Sequence, residues 1–211
     1  RRRVPRRDEA LLVERYFSPC PRGLEEALAA ELGRLGAQRV GRVDGGVGFE
    51  GPIELAYVVN LESRLASRVL WRVGGGPYRD ERDVNALARG IAWPTHFRAD
   101  RTIRVDVAAT RSPLRSLEFA TLTVKDAVCD RFRDEQGRRP SVDKRLPDVR
   151  VHAYLNDREA TFYLDTSGDP LFKRGWRRDA EEAPLRENLA AGIIALSGWE
   201  PGTPFLDFMC G

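Results

Sequence analysis

At 211 residues, with 42% hydrophobic and 32% charged residues, the chain is long enough for one or two domains with real cores and a well-charged surface. No apolar run approaches the roughly 20 residues that a membrane helix requires, and no secretory signal follows the basic N-terminus. Net charge is only +3, yet just three of the 35 basic residues are lysines. That excess of arginine reads either as codon bias or as phosphate recognition by the planar guanidinium. Cys20, Cys129 and Cys210 are widely spaced, form no C-x-x-C pair and do not cluster with His96 or His152. The pattern argues against a disulfide framework and a zinc site, and for a reducing cytoplasm.

Residues 1–8 hold five arginines around Val4 and Pro5 and read as a basic disordered tail or an RNA-grazing arm. Leu11 to Phe17 reads as a strand. Pro21-Arg22-Gly23 opens a helix with Leu24, Ala27, Leu28, Leu32 and Leu35 at helical spacing, which Gly36 closes. Val40–Val43 and Val47–Phe49 flank Asp44-Gly45-Gly46 as a hairpin. After Gly51-Pro52 a second helix is expected from Ile53 to Ala66, with Leu55, Ala56 and Val59 inward. Val69, Trp71 and Val73 then alternate as a strand. The order βαββαβ over residues 9–74 is ferredoxin-like.

Gly74-Gly75-Gly76-Pro77 is the expected internal boundary. Beyond it Asp83 is expected to cap a short helix reaching Ile91, and Ile103, Val105 and Val107 alternate as a strand. Ser116 suits the N-cap of a long helix with Leu117, Ala120, Val124, Ala127, Val128 and Phe132 on one face, ended by Gly137. Val149 to Leu155 alternates, Asn156-Asp157 turns, and Phe162 and Leu164 mark the partner strand. This second unit, residues 75–170, reads as mixed α/β with a mainly antiparallel or mixed sheet.

The cations that stand out are Arg111 and Arg115 before the long helix, Lys125 on its outer face, and Arg138 and Arg139 after it. Lys173, Arg174, Arg177 and Arg178 then surround Trp176 with no acid among them. Each suits a phosphate, and each could equally be a solvated surface charge. Trp176 reads as a core anchor or a stacking surface, His152 as a surface polar group, and Cys129 as a packing residue. No catalytic centre or metal site emerges. Residues 171–211 read as a linker and a final helix from Pro184, striped with Leu185, Leu189, Ile193 and Leu196. Leu206 to Gly211 then ends as nucleotide-type cofactor turns begin: an apolar lead-in, Asp207, then Cys210-Gly211.

Several stretches together resemble the bacterial large-subunit ribosomal RNA guanine-N2-methyltransferases that carry a THUMP domain. They include Arg22-Gly23-Leu24-Glu25-Glu26, Ser63 to Arg68, Val124-Lys125-Asp126-Ala127 and Pro147-Asp148-Val149-Arg150. Asp165-Thr166-Ser167-Gly168, Lys173 to Arg177, Ala183 to Glu187 and the terminal Asp-x-x-Cys-Gly complete the series. The resemblance implies an α+β chain: a ferredoxin-like lead domain, a THUMP α/β domain, then a linker helix beginning a Rossmann-like methyltransferase domain. It implies docking of ribosomal RNA for catalysis beyond residue 211. It also makes S-adenosylmethionine the cofactor of the longer parent, with Asp207, Cys210 and Gly211 an incomplete part of its site. Phe208 stands where the family usually has proline. Alternatives are the RNA-docking module of a thiouridine synthase type of THUMP enzyme, or a DNA adenine methylase. The Leu185–Leu196 stripe is expected to face the methyltransferase sheet, with no packing site for this helix on the upstream body.

Overall fold

The computed structural model describes residues 13–175 and 185–208. The arginine tail, Trp176, Arg177, Arg178, Pro184, Cys210 and Gly211 lie outside them. The described residues up to Val69, with those from Asp169 on, form one compact unit; Leu70–Gly168 form a second.

In the first unit β1 (Glu14–Pro19), α1 (Glu25–Arg34), β2 (Gln38–Val43), β3 (Gly46–Gly51) and α2 (Ile53–Glu62) follow in order. The strands pair antiparallel as β2-β3-β1. Leu24, Leu28 and Leu32 are buried at helical spacing, as are Val47 and Phe49 of β3, and the Phe49 ring stacks on Tyr16 at 5.2 Å. α2 stops at Glu62, short of the expected Ala66, for a tertiary reason. The buried carboxylate of Glu31 accepts from Ser63 Oγ at 2.5 Å, Arg64 N at 3.0 Å and Leu65 N at 3.4 Å. A carboxylate out of water needs such donors, and a continuing helix would have withdrawn the two amides.

The second unit contains β4 (Leu70–Pro77), α3 (Glu81–Gly90), α4 (Trp93–His96), β5 (Ile103–Ala109), α5 (Leu117–Gln136), β6 (Val149–Leu155) and β7 (Glu159–Asp165). Strand order is β4-β7-β6-β5, antiparallel except for the parallel pair β5–β6, which the 20-residue α5 connects. One apolar core joins Val84 and Ala88 of α3, Trp93 of α4, and Val124, Val128 and Phe132 of α5 to the inward residues of the strands. Ser116 caps α5 by accepting from Phe119 N at 3.2 Å, and left-handed Gly137 ends it. Leu117, expected on the buried face, is 42% exposed, because the core engages α5 only from Ala120 onward.

Three further expectations need correcting here. The Gly74–Pro77 run is strand, registered against Phe162 to Glu159 of β7. Glycine is required because a Cβ on Gly75 would stand 2.6 Å from the Ala160 carbonyl oxygen, and one on Gly74 2.7 Å from the Ile91 side chain. The N-cap of α3 is Asp80, which accepts from Arg82 N and Asp83 N, while Asp83 reaches back to Arg79 N at 2.9 Å. His152 is half-buried, its Nε2 enclosed and 3.6 Å from Asp165 Oδ2, because the sheet face it occupies also buries the Asp165 carboxylate.

After β7 the chain returns to the first unit through a 3-10 turn, Leu171–Lys173, and α6, Glu187–Ser197. Contrary to expectation, α6 has a packing site there. It uses Asn188 and Gly192, not the leucine stripe. Among the described residues no helix is long and apolar enough to cross a membrane.

Candidate nucleic-acid interface

Because β5 and β6 are parallel and β7 runs against both β6 and β4, strands β4, β5 and β6 all point one way. Their carboxyl ends, Pro77, Ala109 and Leu155, emerge at one edge of the second unit's sheet. The loops that follow these three strands therefore gather at that edge. The Tyr78 hydroxyl ties its loops together, lying 2.6 Å from the Asn156 carbonyl oxygen, to which it donates, and 2.7 Å from Ser112 Oγ. Thr110 N donates to the Leu155 carbonyl at 2.9 Å. Asn156 Oδ1 accepts from Arg158 N and Glu159 N, both at 2.7 Å, closing the β6–β7 turn.

Two helices begin at this edge. The start of α3 is already satisfied by its own anion, Asp80. α5 is capped by Ser116 and carries Glu118 in its first turn, so each helix start already holds a carboxylate of its own. Arg111 and Arg115 are exposed on the loop entering α5, and Phe119 is 55% exposed on its first turn. Arg111 adopts φ 58°, a left-handed conformation costing a non-glycine residue about 1–2 kcal/mol. The hydrogen bonds of Thr110 and Ser112 on either side hold it there.

The other anticipated cations divide sharply. Lys125 lies 2.8 Å from Asp126, and Arg139 lies 3.6 Å and 3.5 Å from Asp126 and Asp130, so the α5 flank is internally neutralised. Arg174 donates to the Asn60 and Ser63 carbonyl oxygens, closing the end of α2 in the first unit. Arg138 and Lys173 are exposed, and the described residues supply neither with an ion pair. Arg177 and Arg178 lie outside the described residues. Arg111 and Arg115 thus share the loop entering α5, and of the other described cations Lys125, Arg138 and Arg139 lie along or after that helix and Arg174 in the first unit. Sequence reasoning did not single out Tyr78, Arg82 and Phe119 at the same edge, nor Arg79 and Arg158, which lie 3.4 Å from Asp83 and 3.5 Å from Asp157. The signal that could have found them is the β5–α5–β6 crossover, which fixes where the carboxyl ends lie. Cys129 packs as expected, with burial pushing its thiol up. Among the described residues no three potential metal ligands cluster.

Three family models match in chain order: an RlmL ferredoxin-like domain over residues 15–70, a THUMP domain over 78–165, and an RMKL-like methyltransferase domain over 174–211. In order, the chain is thus similar to a ferredoxin-like lead domain, a THUMP domain and part of a methyltransferase domain. The THUMP match begins at Tyr78, the residue that ties the loop edge together. A ribosomal RNA large subunit methyltransferase K/L from Psychromonas ingrahamii is 45% identical over 93% of this chain and 26% of its own length. Its counterpart in Aeromonas hydrophila is 42% identical over 94% of this chain and 28% of its own. The chain therefore spans about a quarter of these curated relatives. Among solved structures, a predicted N6-adenine-specific DNA methylase from Listeria monocytogenes superposes with a TM-score of 0.84 at 27% identity. That match covers 94% of this chain and 52% of the other. A putative methyltransferase complexed with SAH gives 0.79 at 28% identity, covering 91% and 51%.

Proposed function

We propose that this chain docks ribosomal RNA for an S-adenosylmethionine-dependent guanine-N2-methyltransferase of the large subunit, acting in the cytoplasm. The loop edge of its THUMP domain is a principal contact. The observation that carries the reading is the placement of Arg111 and Arg115, exposed on the loop that enters α5 within the stretch matching a THUMP domain. Phosphates supply most of the affinity in such contacts, and exposed guanidiniums suit them. The exposed Phe119 ring adds a stacking surface for an unpaired base.

The cofactor belongs to the methyltransferase domain that residues 174–211 resemble. Of the set named for it, Asp207 is exposed, and Cys210 and Gly211 lie outside the described residues. No chemical step is assigned to this chain. The DNA methylase alternative gains nothing from a THUMP domain.

The reading is tested by fluorescence anisotropy with a large-subunit ribosomal RNA fragment across a salt series. Replacing Arg111 and Arg115 by Ala is expected to weaken binding across RNA sequences and to make the log affinity against log salt slope shallower by roughly one per lost phosphate contact. Unchanged affinity and slope would place the RNA elsewhere.

A further inference from the structure

Helix α6 has two working faces. One is seated in the first unit. Asn188, 2% exposed, donates from Nδ2 to Ser67 Oγ at 3.1 Å and lies 3.5 Å from the Leu65 carbonyl oxygen. One turn on, Gly192 is buried so closely on α1 that a Cβ there would stand 2.2 Å from Leu24 Cδ1. Leu24 is itself 2% exposed and has little room to yield. The other face is bare. Ile193 and Leu196, three residues apart on α6, are 52% and 63% exposed, Leu185 just before the helix is 45% exposed, and Phe205, Leu206 and Phe208 follow at 58%, 81% and 83%. Large apolar side chains clustered in water mark an interaction surface.

What covers this surface follows from where it lies in the chain. The whole of α6 and the segment after it fall within residues 174–211, which match an RMKL-like methyltransferase domain, while the curated relatives are about four times longer than the matched stretch. We infer that α6 is shared between two domains. Its Asn188–Gly192 face fixes it to α1 of the lead unit, and its Ile193–Leu196 face seats the remainder of the methyltransferase domain. The catalytic domain is thereby held at a set position on the ferredoxin-like unit by one helix. The inference rests on the methyltransferase reading of residues 174–211.

The test compares the 211-residue chain with a chain extended through the whole methyltransferase domain, each with Ile193→Asp and Leu196→Asp together. In the short chain the melting temperature is expected to move by no more than about 2 °C, since both side chains are exposed there. In the extended chain the methyltransferase transition is expected to fall by several degrees and hydrogen exchange across α6 to rise, with RNA affinity retained. Gly192→Val, by forcing Leu24 aside, is expected to raise exchange in α6 in both chains. Three results would overturn the inference: a short chain destabilised as much as the long one, a short-chain dimer dissolved by the two aspartates, or unchanged exchange after Gly192→Val. An extended chain that binds no S-adenosylmethionine in any form would instead sink the methyltransferase reading itself.

Discussion

A guanidinium in a basic cluster has two competing partners, a phosphate outside the protein and a carbonyl inside it. Arg174 takes the second, donating to Asn60 and Ser63 more than a hundred residues away in sequence. Arg111 and Arg115 stay available, because their loop is held by Tyr78, Ser112 and Thr110 through other atoms. Composition cannot separate these cases, since the deciding partner is distant in the chain. The thiols illustrate the same dependence on burial. Burial raises Cys20 to about 11 from an ordinary value of 9, with Glu25 adding to the rise, and it raises Cys129 as well. Since the thiolate is the reactive form, both should resist alkylation at pH 8 in the native protein and react on unfolding. In the unfolded chain Cys20 sheds its proton first as pH rises, so between about pH 9 and 11 the native state holds more protons. Stability should therefore decline across that window. Peptide-resolved alkylation in native and denaturing buffer checks this, and rapid native labelling at Cys20 would contradict it.

Among the elements, β4 shows most clearly what a sequence hides. Three glycines and a proline read as an internal boundary, yet they pair along β7, where neighbouring atoms leave no space for side chains at Gly74 and Gly75. Gly75→Ala should cost about 1–3 kcal/mol, since the obstructing atom is a backbone carbonyl that cannot step aside. Gly33→Ala, inside α1 with nothing within 4 Å of the added methyl, should instead stabilise by about 0.5–1 kcal/mol. Thermal melts of the two variants give opposite signs if the packing is as described, and equal shifts would refute it. Elements with strong local signals were legible: the β2–β3 and β6–β7 hairpins, the apolar repeat of α1, and the Ser116 and Gly137 ends of α5. Those set by tertiary partners were not. α2 ends where Glu31 demands amides, and the four-residue α4 exists around Trp93, wholly buried with its Nε1 donating to the Ala88 carbonyl at 2.7 Å.

For the whole molecule, the candidate site is an edge assembled from loops that lie nearly eighty residues apart, Tyr78 at one end and Asn156 at the other. The sequence offered Arg111 and Arg115 but not that edge, because it exists only once β5 and β6 lie parallel and β7 turns back between β6 and β4. The family resemblance supplied the expectation of RNA, and the loop edge is the surface proposed for it. The most direct measurement is amide chemical-shift mapping of the 211-residue protein titrated with a large-subunit ribosomal RNA fragment at low salt. Shifts concentrated at residues 78–83, 110–119 and 155–159 are the predicted result. RNA binding that leaves those amides unmoved and shifts others instead would contradict the account.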